Sequence, residues 1–183
     1  MDPCRIHITG ASGSGVTTLG RHLAALWAVP VHDTDDYYWM PTDPPFMHKR
    51  PVAERIALMQ AMFLPRAQWV LSGSLIGWGA PVVPRFQAVV LLVLDPRTRM
   101  GRLQARESAR YGRAIRHGGA MHDSHLAFMD WAAGYDDPTF TGRSLFQHQH
   151  WLSTLTCPVL ELDSALPPDA LCAAIAAWVP DGR

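Results

Sequence analysis

The strongest constraint in this chain is a glycine-rich loop that lies between a strand pattern and a helical pattern. Residues 5–9 favour a β-strand, and residues 17–27 repeat leucine at helical spacing. The segment between them, Gly10-Ala-Ser-Gly-Ser-Gly-Val-Thr17, follows the spacing G-x-x-x-x-G-K-[ST] except that Val16 stands at the lysine position. Glycines let successive backbone N–H groups curl around an anion, and the helix adds the positive end of its dipole.

The sequence therefore predicts a phosphate-binding loop, in which Thr17 is placed to ligate Mg²⁺. The alternative is a glycine-rich turn that only packs a helix against a strand. The residues predicted to contact nucleotide phosphates are Gly10, Ala11, Ser12, Gly13, Ser14, Gly15, Val16, Thr17 and Thr18.

Strand and helix patterns alternate along the rest of the chain. The pattern predicts further strands at 29–32, 69–72, 88–94 and 159–162, and helices at 52–64, 97–111, 121–133 and 167–179. Continuous apolar runs such as 88–94 are typical of parallel strands buried on both faces. We therefore expect an α/β fold, a five-stranded parallel sheet flanked by helices, in one domain over residues 1–183. Ligands of such folds bind at the carboxyl ends of the strands.

Composition narrows the function classes. The 183 residues are 48% hydrophobic and 17% charged, which is typical of a packed globular protein. Sixteen basic and sixteen acidic residues cancel, which argues against a nucleic-acid or membrane-surface partner. The three widely spaced cysteines favour a reducing cytoplasm, and no apolar run is long enough to span a membrane.

An acidic segment, His32-Asp-Thr-Asp-Asp36, follows the second predicted strand. Asp33 and Asp35 would point to opposite faces if the strand continued, and could converge if the backbone turned. We interpret them as site residues beside the phosphate loop, and the alternative is a solvated aspartate turn. Tyr38 and Trp39, which come next, are candidates to line an acceptor pocket or to cover the sheet edge.

Basic residues are almost all arginine, and many share one helical face. Fifteen residues are Arg and one is Lys. The face predicted to bind phosphate oxygens consists of Arg102, Arg106, Arg110 and Arg113. A solvated helix face is the alternative. Lys49 or Arg50, in a proline-rich loop, is a candidate to replace the absent loop lysine, although a solvated basic turn explains them as well. Ser72 and Gly73 come at the end of the third strand, where acceptor contacts would lie; a tight glycine turn with a packing tryptophan explains them equally well.

Histidines give a weak metal signal. His122 with His125, and His148 with His150, have spacings that could suggest a metal, but they lack thiolates or paired carboxylates beside them. We expect these four histidines on the surface.

The loop, the Asp33-Thr-Asp35 segment and the Tyr38-Trp39 pair together resemble those of P-loop small-molecule and nucleotide kinases. This group includes adenylate kinase-like, shikimate kinase-like and DNA-topology-modulation-like proteins. The resemblance implies a three-layer P-loop NTPase fold, ATP or GTP with Mg²⁺, and a short lid at about residues 111–120. The element order covers most of the chain, and the specific motifs cover about a third of it.

The same resemblance implies roles for individual residues. In shikimate and gluconate kinases a D-x-D pair at this place serves the metal shell and the acceptor hydroxyl, which would put Asp33 near Mg²⁺ and Asp35 on the acceptor. Arg102-Leu-Gln-Ala-Arg106 resembles the start of an adenylate kinase lid, where the first arginine stacks on the base and the second reaches the phosphates.

We therefore expect a phosphotransferase that acts on a small-molecule or nucleotide acceptor, as a monomer or dimer in the cytoplasm. The residues expected to carry catalysis are Asp35, Arg106 and Lys49, and those expected to bind the acceptor are Asp35, Tyr38, Trp39, Arg50, Ser72, Gly73, Arg110 and Arg113. Val16 supports a different class, a nucleotide-binding sensor without catalysis. A nucleic-acid-associated factor is a third candidate.

Overall fold

A parallel five-stranded sheet forms the centre of the protein, as the alternating pattern predicts. The computed structural model describes residues 1–179. The strands are β1 Arg5–Gly10, β2 Val31–Asp33, β3 Trp69–Ser72, β4 Ala88–Val93 and β5 Val159–Asp163, in the order β2-β3-β1-β4-β5. All four neighbouring pairs are parallel. The carboxyl ends therefore share one edge, with the glycine-rich loop after the central strand β1.

Seven α-helices flank the sheet in the described part of the chain. They are α1 Val16–Trp27, α2 Thr34–Tyr38, α3 Val52–Met62, α4 Pro96–Tyr111, α5 His122–Ala133, α6 Leu145–Ser153 and α7 Pro168–Ala177. Five of them match predicted helices to within a few residues, and α2 and α6 were not predicted. Helix α2 has only five residues and α6 is rich in Gln and His, so neither shows an apolar helical repeat.

Side chains alternate across the sheet and form two separate cores. Ile6 and Ile8 of β1 pack on one face, among apolar residues of α1 and α7. Trp69 and Leu71 of β3 pack on the other face, with Met59 and the neighbouring apolar side chains of α3. Because parallel strands buried on both faces need apolar residues at nearly every position, β4 has the continuous sequence Ala-Val-Val-Leu-Leu-Val.

The turn after β3 depends on a glycine. Gly73 has a φ of +112°, a conformation that L side chains rarely adopt. A Cβ at this position would collide with the side chain of Thr34, whose hydroxyl accepts a hydrogen bond from the Ser74 backbone N–H at 3.1 Å. This close approach joins the end of β3 to the start of α2, and so brings two of the predicted site segments together.

Within residues 1–179, none of the helices combines the length and the apolar character that crossing a bilayer requires.

We predict that Gly73→Ala lowers the free energy of unfolding by ~3 kcal/mol or more, because the new methyl group adds a collision with Thr34 to the backbone strain. Gly77→Ala is the matched control: its φ is +82°, but no atom lies within 4 Å of the added methyl. It should cost only ~1 kcal/mol. Urea unfolding of both variants measures the difference, and equal losses would contradict the close approach described above.

Candidate active site

The predicted site segments meet in one cleft at the carboxyl edge of the sheet. The cleft has a volume of about 720 Å³, within the range that ordinary small-molecule sites occupy. The predicted residues that line it are Gly10, Ala11, Ser12, Gly13, Ser14, Gly15, Val16, Thr17, Thr18, Asp33, Asp35, Gly73, Arg102, Arg106 and Arg110. The end of β5 contributes Ser164 and the residues after it.

The glycine-rich loop is shaped as an anion cradle. Gly13 and Gly15 have φ values of +87° and +91°, which turn the backbone around the loop. Helix α1 begins at Val16 directly after Gly15, and no side chain caps its first turn. Its first N–H groups therefore face the cleft with the positive end of the helix dipole, the arrangement that binds phosphate.

Val16 brings no charge to this loop. Its side chain is only 8% exposed and belongs to the same core as Ile6 and Ile8. The first position of α1 thus contributes packing to the sheet, and any cation that neutralises a bound anion comes from another part of the cleft.

Thr17 and Asp33 form the best candidate for a metal site. The Thr17 hydroxyl donates to Asp33 Oδ2 at 2.7 Å, and Asp33 Oδ1 accepts from the Asp35 backbone N–H at 3.0 Å. The described residues contain no group of three or more His, Cys, Asp or Glu that could hold a metal ion without help. A hydroxyl and a carboxylate do fit Mg²⁺, which is usually bound through one or two protein oxygens together with waters and substrate phosphates.

Asp33 also explains how the two aspartates converge. It is the N-cap of α2, so the chain turns into a helix directly after β2 and Asp35 lies in the first helical turn. Asp35 faces the cleft, where burial by the surrounding protein and then the Asp33 charge raise the pKa of its carboxyl to about 6. Arg143 and Arg106 act in the opposite direction.

Three of the four arginines predicted to share one helical face lie in α4 and line the cleft; the fourth, Arg113, lies in a 3-10 turn after α4 has ended at Tyr111. Arg102 donates to the Ser164 carbonyl at 3.3 Å. Arg106 contacts Glu107 Oε1 through Nε at 3.3 Å and Nη2 at 3.2 Å. The Arg110 guanidinium lies 5.4 Å from the centre of the Phe46 ring.

Several predicted residues do not reach the cleft lining: Tyr38, Trp39, Lys49, Arg50, Ser72 and Arg113. Lys49 is exposed, pairs with Trp39 in a short antiparallel bridge, and holds its ammonium group 5.8 Å from the Tyr38 ring centre. Arg50 donates to the carbonyls of Tyr37 and Trp39, because the loop folds back on α2. These contacts hold both candidate replacements for the loop lysine away from the phosphate loop.

Ser72 is fully buried in β3, where its hydroxyl lies under α1 beside Gly20. A serine at the end of a strand predicts an acceptor contact only if the next turn exposes it. Here that turn instead brings Gly73 and Ser74 to the cleft.

The cleft also contains residues that the sequence did not predict for the site, among them Arg21, Thr34, Ser74 and Arg143, and Arg143 is the one that contacts the phosphate loop through a side-chain hydrogen bond. It lies just before α6, and its Nη2 donates to the Ser12 hydroxyl of the phosphate loop at 2.7 Å. Its guanidinium lies 4.9 Å from the centre of the Trp131 ring. The segment around Arg143 has no helical repeat or motif spacing, so only the tertiary fold brings it to the loop.

Comparison with known proteins gives a family and a fold. No family model matches the chain. The uncharacterized protein YqaC of Bacillus subtilis (strain 168) is 38% identical over 158 residues, which cover 86% of this chain and 87% of that protein. The chain belongs to the YqaC family.

Solved structures similar to this YqaC-family chain include a shikimate kinase and a gluconokinase. A shikimate kinase from Bacteroides thetaiotaomicron has a TM-score of 0.53 and 19% identity, and covers 94% of this chain and 95% of its own. A gluconokinase from Sinorhizobium meliloti 1021 has a TM-score of 0.52 and 16% identity, over 93% and 88%. These similarities show a P-loop kinase-like fold.

A buried polar chain lies directly behind the phosphate loop. His148 Nε2 lies 3.1 Å from the Thr9 hydroxyl and its Nδ1 lies 2.8 Å from the Tyr135 hydroxyl. Burial is the main reason that the pKa of His148 is lowered to about 3, so the ring is neutral and can accept at one nitrogen while it donates at the other. The expectation that this histidine and His125 lie on the surface is wrong, since both are buried.

We predict that His148 makes the fold sensitive to acid. Its pKa is below the ordinary 6.5, so the unfolded chain binds a proton that the folded chain does not, and stability falls as the pH drops from 6.5 toward 3. His148→Gln should therefore lose about 2 kcal/mol less stability than wild type between pH 7 and pH 5. Exposed His150 on the same helix is the matched control, and urea unfolding at both pH values is the measurement. An unchanged slope in His148→Gln would contradict a neutral buried ring.

Proposed function

We propose that this YqaC-family chain binds ATP or GTP with Mg²⁺ and transfers a phosphoryl group to a hydroxyl or phosphate oxygen of a small-molecule or nucleotide acceptor. The observation that carries the proposal is the turn at Asp33. It joins one aspartate to Thr17 at the base of the phosphate loop and directs the next one, Asp35, into the same cleft.

The nucleotide end of the cleft is built from the loop and α4. The loop amides and the first turn of α1 would bind phosphate oxygens, and Arg106 would reach them from the opposite side. Arg102, held between Gly15 and Ser164, would border the base. Thr17 and Asp33 would hold Mg²⁺, which supplies neutralising charge between the phosphates.

The acceptor end is centred on Asp35. As the acceptor oxygen forms its new bond to phosphorus, the bond from phosphorus to the departing diphosphate oxygen breaks, and the acceptor proton passes to the Asp35 carboxylate. Gly73 and Arg110 border this end of the cleft. Lys49 has no role in this mechanism, because it contacts Trp39 and the Tyr38 ring and does not line the cleft.

We infer a single domain over residues 1–183, of which 180–183 lie outside the described residues, with a short lid at about residues 111–120 that closes over the cleft. Gly112 and Gly118, at φ values of +53° and +78°, would give the segment the backbone freedom that such a closure needs. The wide spacing of the cysteines supports a cytoplasmic location.

A second candidate function is nucleotide binding without catalysis, in a sensor or regulatory protein. Val16 favours it, because the loop itself has no cation to neutralise charge as transfer proceeds. In such a protein the phosphate loop and the Thr17–Asp33 pair would still bind nucleotide and metal, and Asp35 would accept no proton.

The direct test is acceptor-dependent ADP formation by purified protein with ATP and Mg²⁺, over a panel of polyols, hydroxy acids, nucleosides and nucleoside monophosphates. We expect Asp35→Asn to lower kcat by ~10²–10⁴-fold because the acceptor loses its base, with ATP affinity unchanged. Asp36→Asn, the neighbouring carboxylate outside the cleft lining, should leave kcat within a few fold. Tight ATP binding with no acceptor-dependent ADP from any member would favour the sensor.

Acid should switch the reaction off through the same group. Because the pKa of Asp35 is raised to about 6, the carboxylate that accepts a proton is present above that pH and is lost below it. We therefore predict that kcat/KM, which reports the ionisation of the free protein, falls about tenfold per pH unit below pH 6. A profile that stays flat from pH 7 to pH 5 would contradict this role for Asp35.

A further inference from the structure

The cleft contains a largely buried cation, Arg143, that is in the field of Asp35 but in direct contact with no carboxylate among the described residues. Arg143 Nη2 donates to Ser12, and its Nε is buried without a hydrogen-bond partner. Among the described residues, no carboxylate forms an ion pair with it. An arginine remains protonated in proteins, and a largely buried charge is costly without an anion. The arrangement therefore points to an anionic ligand on this guanidinium.

Arg99 shows what a structural arginine looks like in the same region. It also contacts the loop, through the Ser12 carbonyl at 3.3 Å, but its two Nη groups are also bound by the Ala132 carbonyl at 2.9 Å and the Asp136 carboxylate at 2.6 Å. The Nε of Arg99, like that of Arg143, is buried without a hydrogen-bond partner, but the charge of Arg99 is paired with a carboxylate. Arg143 has similar access to the loop and forms no such ion pair among the described residues, which leaves Nη donors for a ligand.

The position of Arg143 is fixed before any ligand binds. Its guanidinium packs over Trp131, and the next residue, Ser144, is the buried N-cap of α6, whose hydroxyl accepts from the Gln147 N–H. Stacking on an aromatic ring and a helix cap orient the planar donor group toward the phosphate loop. Little conformational entropy would be lost when an anion binds it.

The other cations differ from Arg143 in their contacts. Lys49 and Arg50 contact residues of their own loop and α2 and do not line the cleft. Arg102 and Arg106 line the cleft from α4, but of all these arginines only Arg143 donates to a side chain of the phosphate loop.

We propose that Arg143 supplies the positive charge that a lysine at position 16 would provide, by binding the outer phosphate oxygens of the nucleotide. The inference rests on the proposed function and adds a catalytic residue to it. The positive charge is supplied by Arg143, just before α6, instead of by the first residue of α1, so Val16 can serve core packing.

Arg143→Gln tests the inference, since glutamine removes the positive charge and keeps a polar side chain that can pack near Trp131. We expect the variant to bind ATP at least tenfold more weakly and AMP nearly as well as wild type, because AMP lacks the outer phosphates. We expect kcat to fall by ~10²-fold. Arg97→Ala, an exposed arginine at the start of α4 and outside the cleft lining, controls for loss of charge alone.

Adding a lysine to the loop makes the test specific. In the double variant Val16→Lys with Arg143→Gln, we expect ATP binding to recover at least tenfold, because the new ammonium group would reach the same phosphates. Ser12→Ala removes the hydrogen bond and keeps the charge, so it should weaken ATP binding much less than Arg143→Gln does. Melting temperatures of all variants identify any that fail to fold, and Arg143→Lys then takes the place of Arg143→Gln and should keep most of the ATP affinity.

Two results would overturn the inference while leaving the proposed function in place. One is wild-type ATP affinity and kcat in Arg143→Gln. The other is an equal loss of ATP and AMP affinity that Ser12→Ala reproduces, which would show that Arg143 only stabilises the loop conformation. If wild-type protein itself binds no ATP at millimolar concentration, the proposed function fails first.

Discussion

The buried guanidinium of Arg99 joins the phosphate loop to the helices across the cleft, and the shape of the site depends on this contact. Its side chain is 1% exposed and ties Ser12 to Ala132 and Asp136. Helix α4 approaches so closely that a Cβ on Gly13 would lie 2.8 Å from the Arg99 carbonyl oxygen. Because the Arg99 guanidinium is buried while Asp136 is partly exposed, its contacts join the loop to the segments that carry Ala132 and Asp136.

This close packing also determines which arginine side chains line the cleft. Because α4 crosses beside the loop, Arg102 and Arg106, four residues apart on one face, line the cleft. The chain then returns through α5 to Arg143, which contacts the loop from the start of α6. The loop supplies backbone amides and the opposite side supplies cations. The arrangement explains how position 16 can be given to core packing.

The sheet, five of the helices and the phosphate loop could be predicted because each depends on local periodicity or spacing. The cleft location of Asp33 and Asp35 also followed from their place after a strand. Lys49 illustrates what could not be predicted: a loop cation can be assigned to a site only when the path of the loop is known, and this loop folds back on α2. Arg143 was missed for the converse reason, since its contact with Ser12 spans 131 residues and leaves no local signal.

Calorimetric titration of the protein with ATP, in the presence and absence of Mg²⁺, shows directly whether this cleft binds nucleotide. We predict saturable binding at one site per chain, tighter with Mg²⁺ than without it, because Thr17 and Asp33 would hold the metal only together with phosphates. Absence of binding at millimolar ATP and GTP in both conditions would contradict it, and would leave a P-loop kinase-like fold that does not bind these nucleotides.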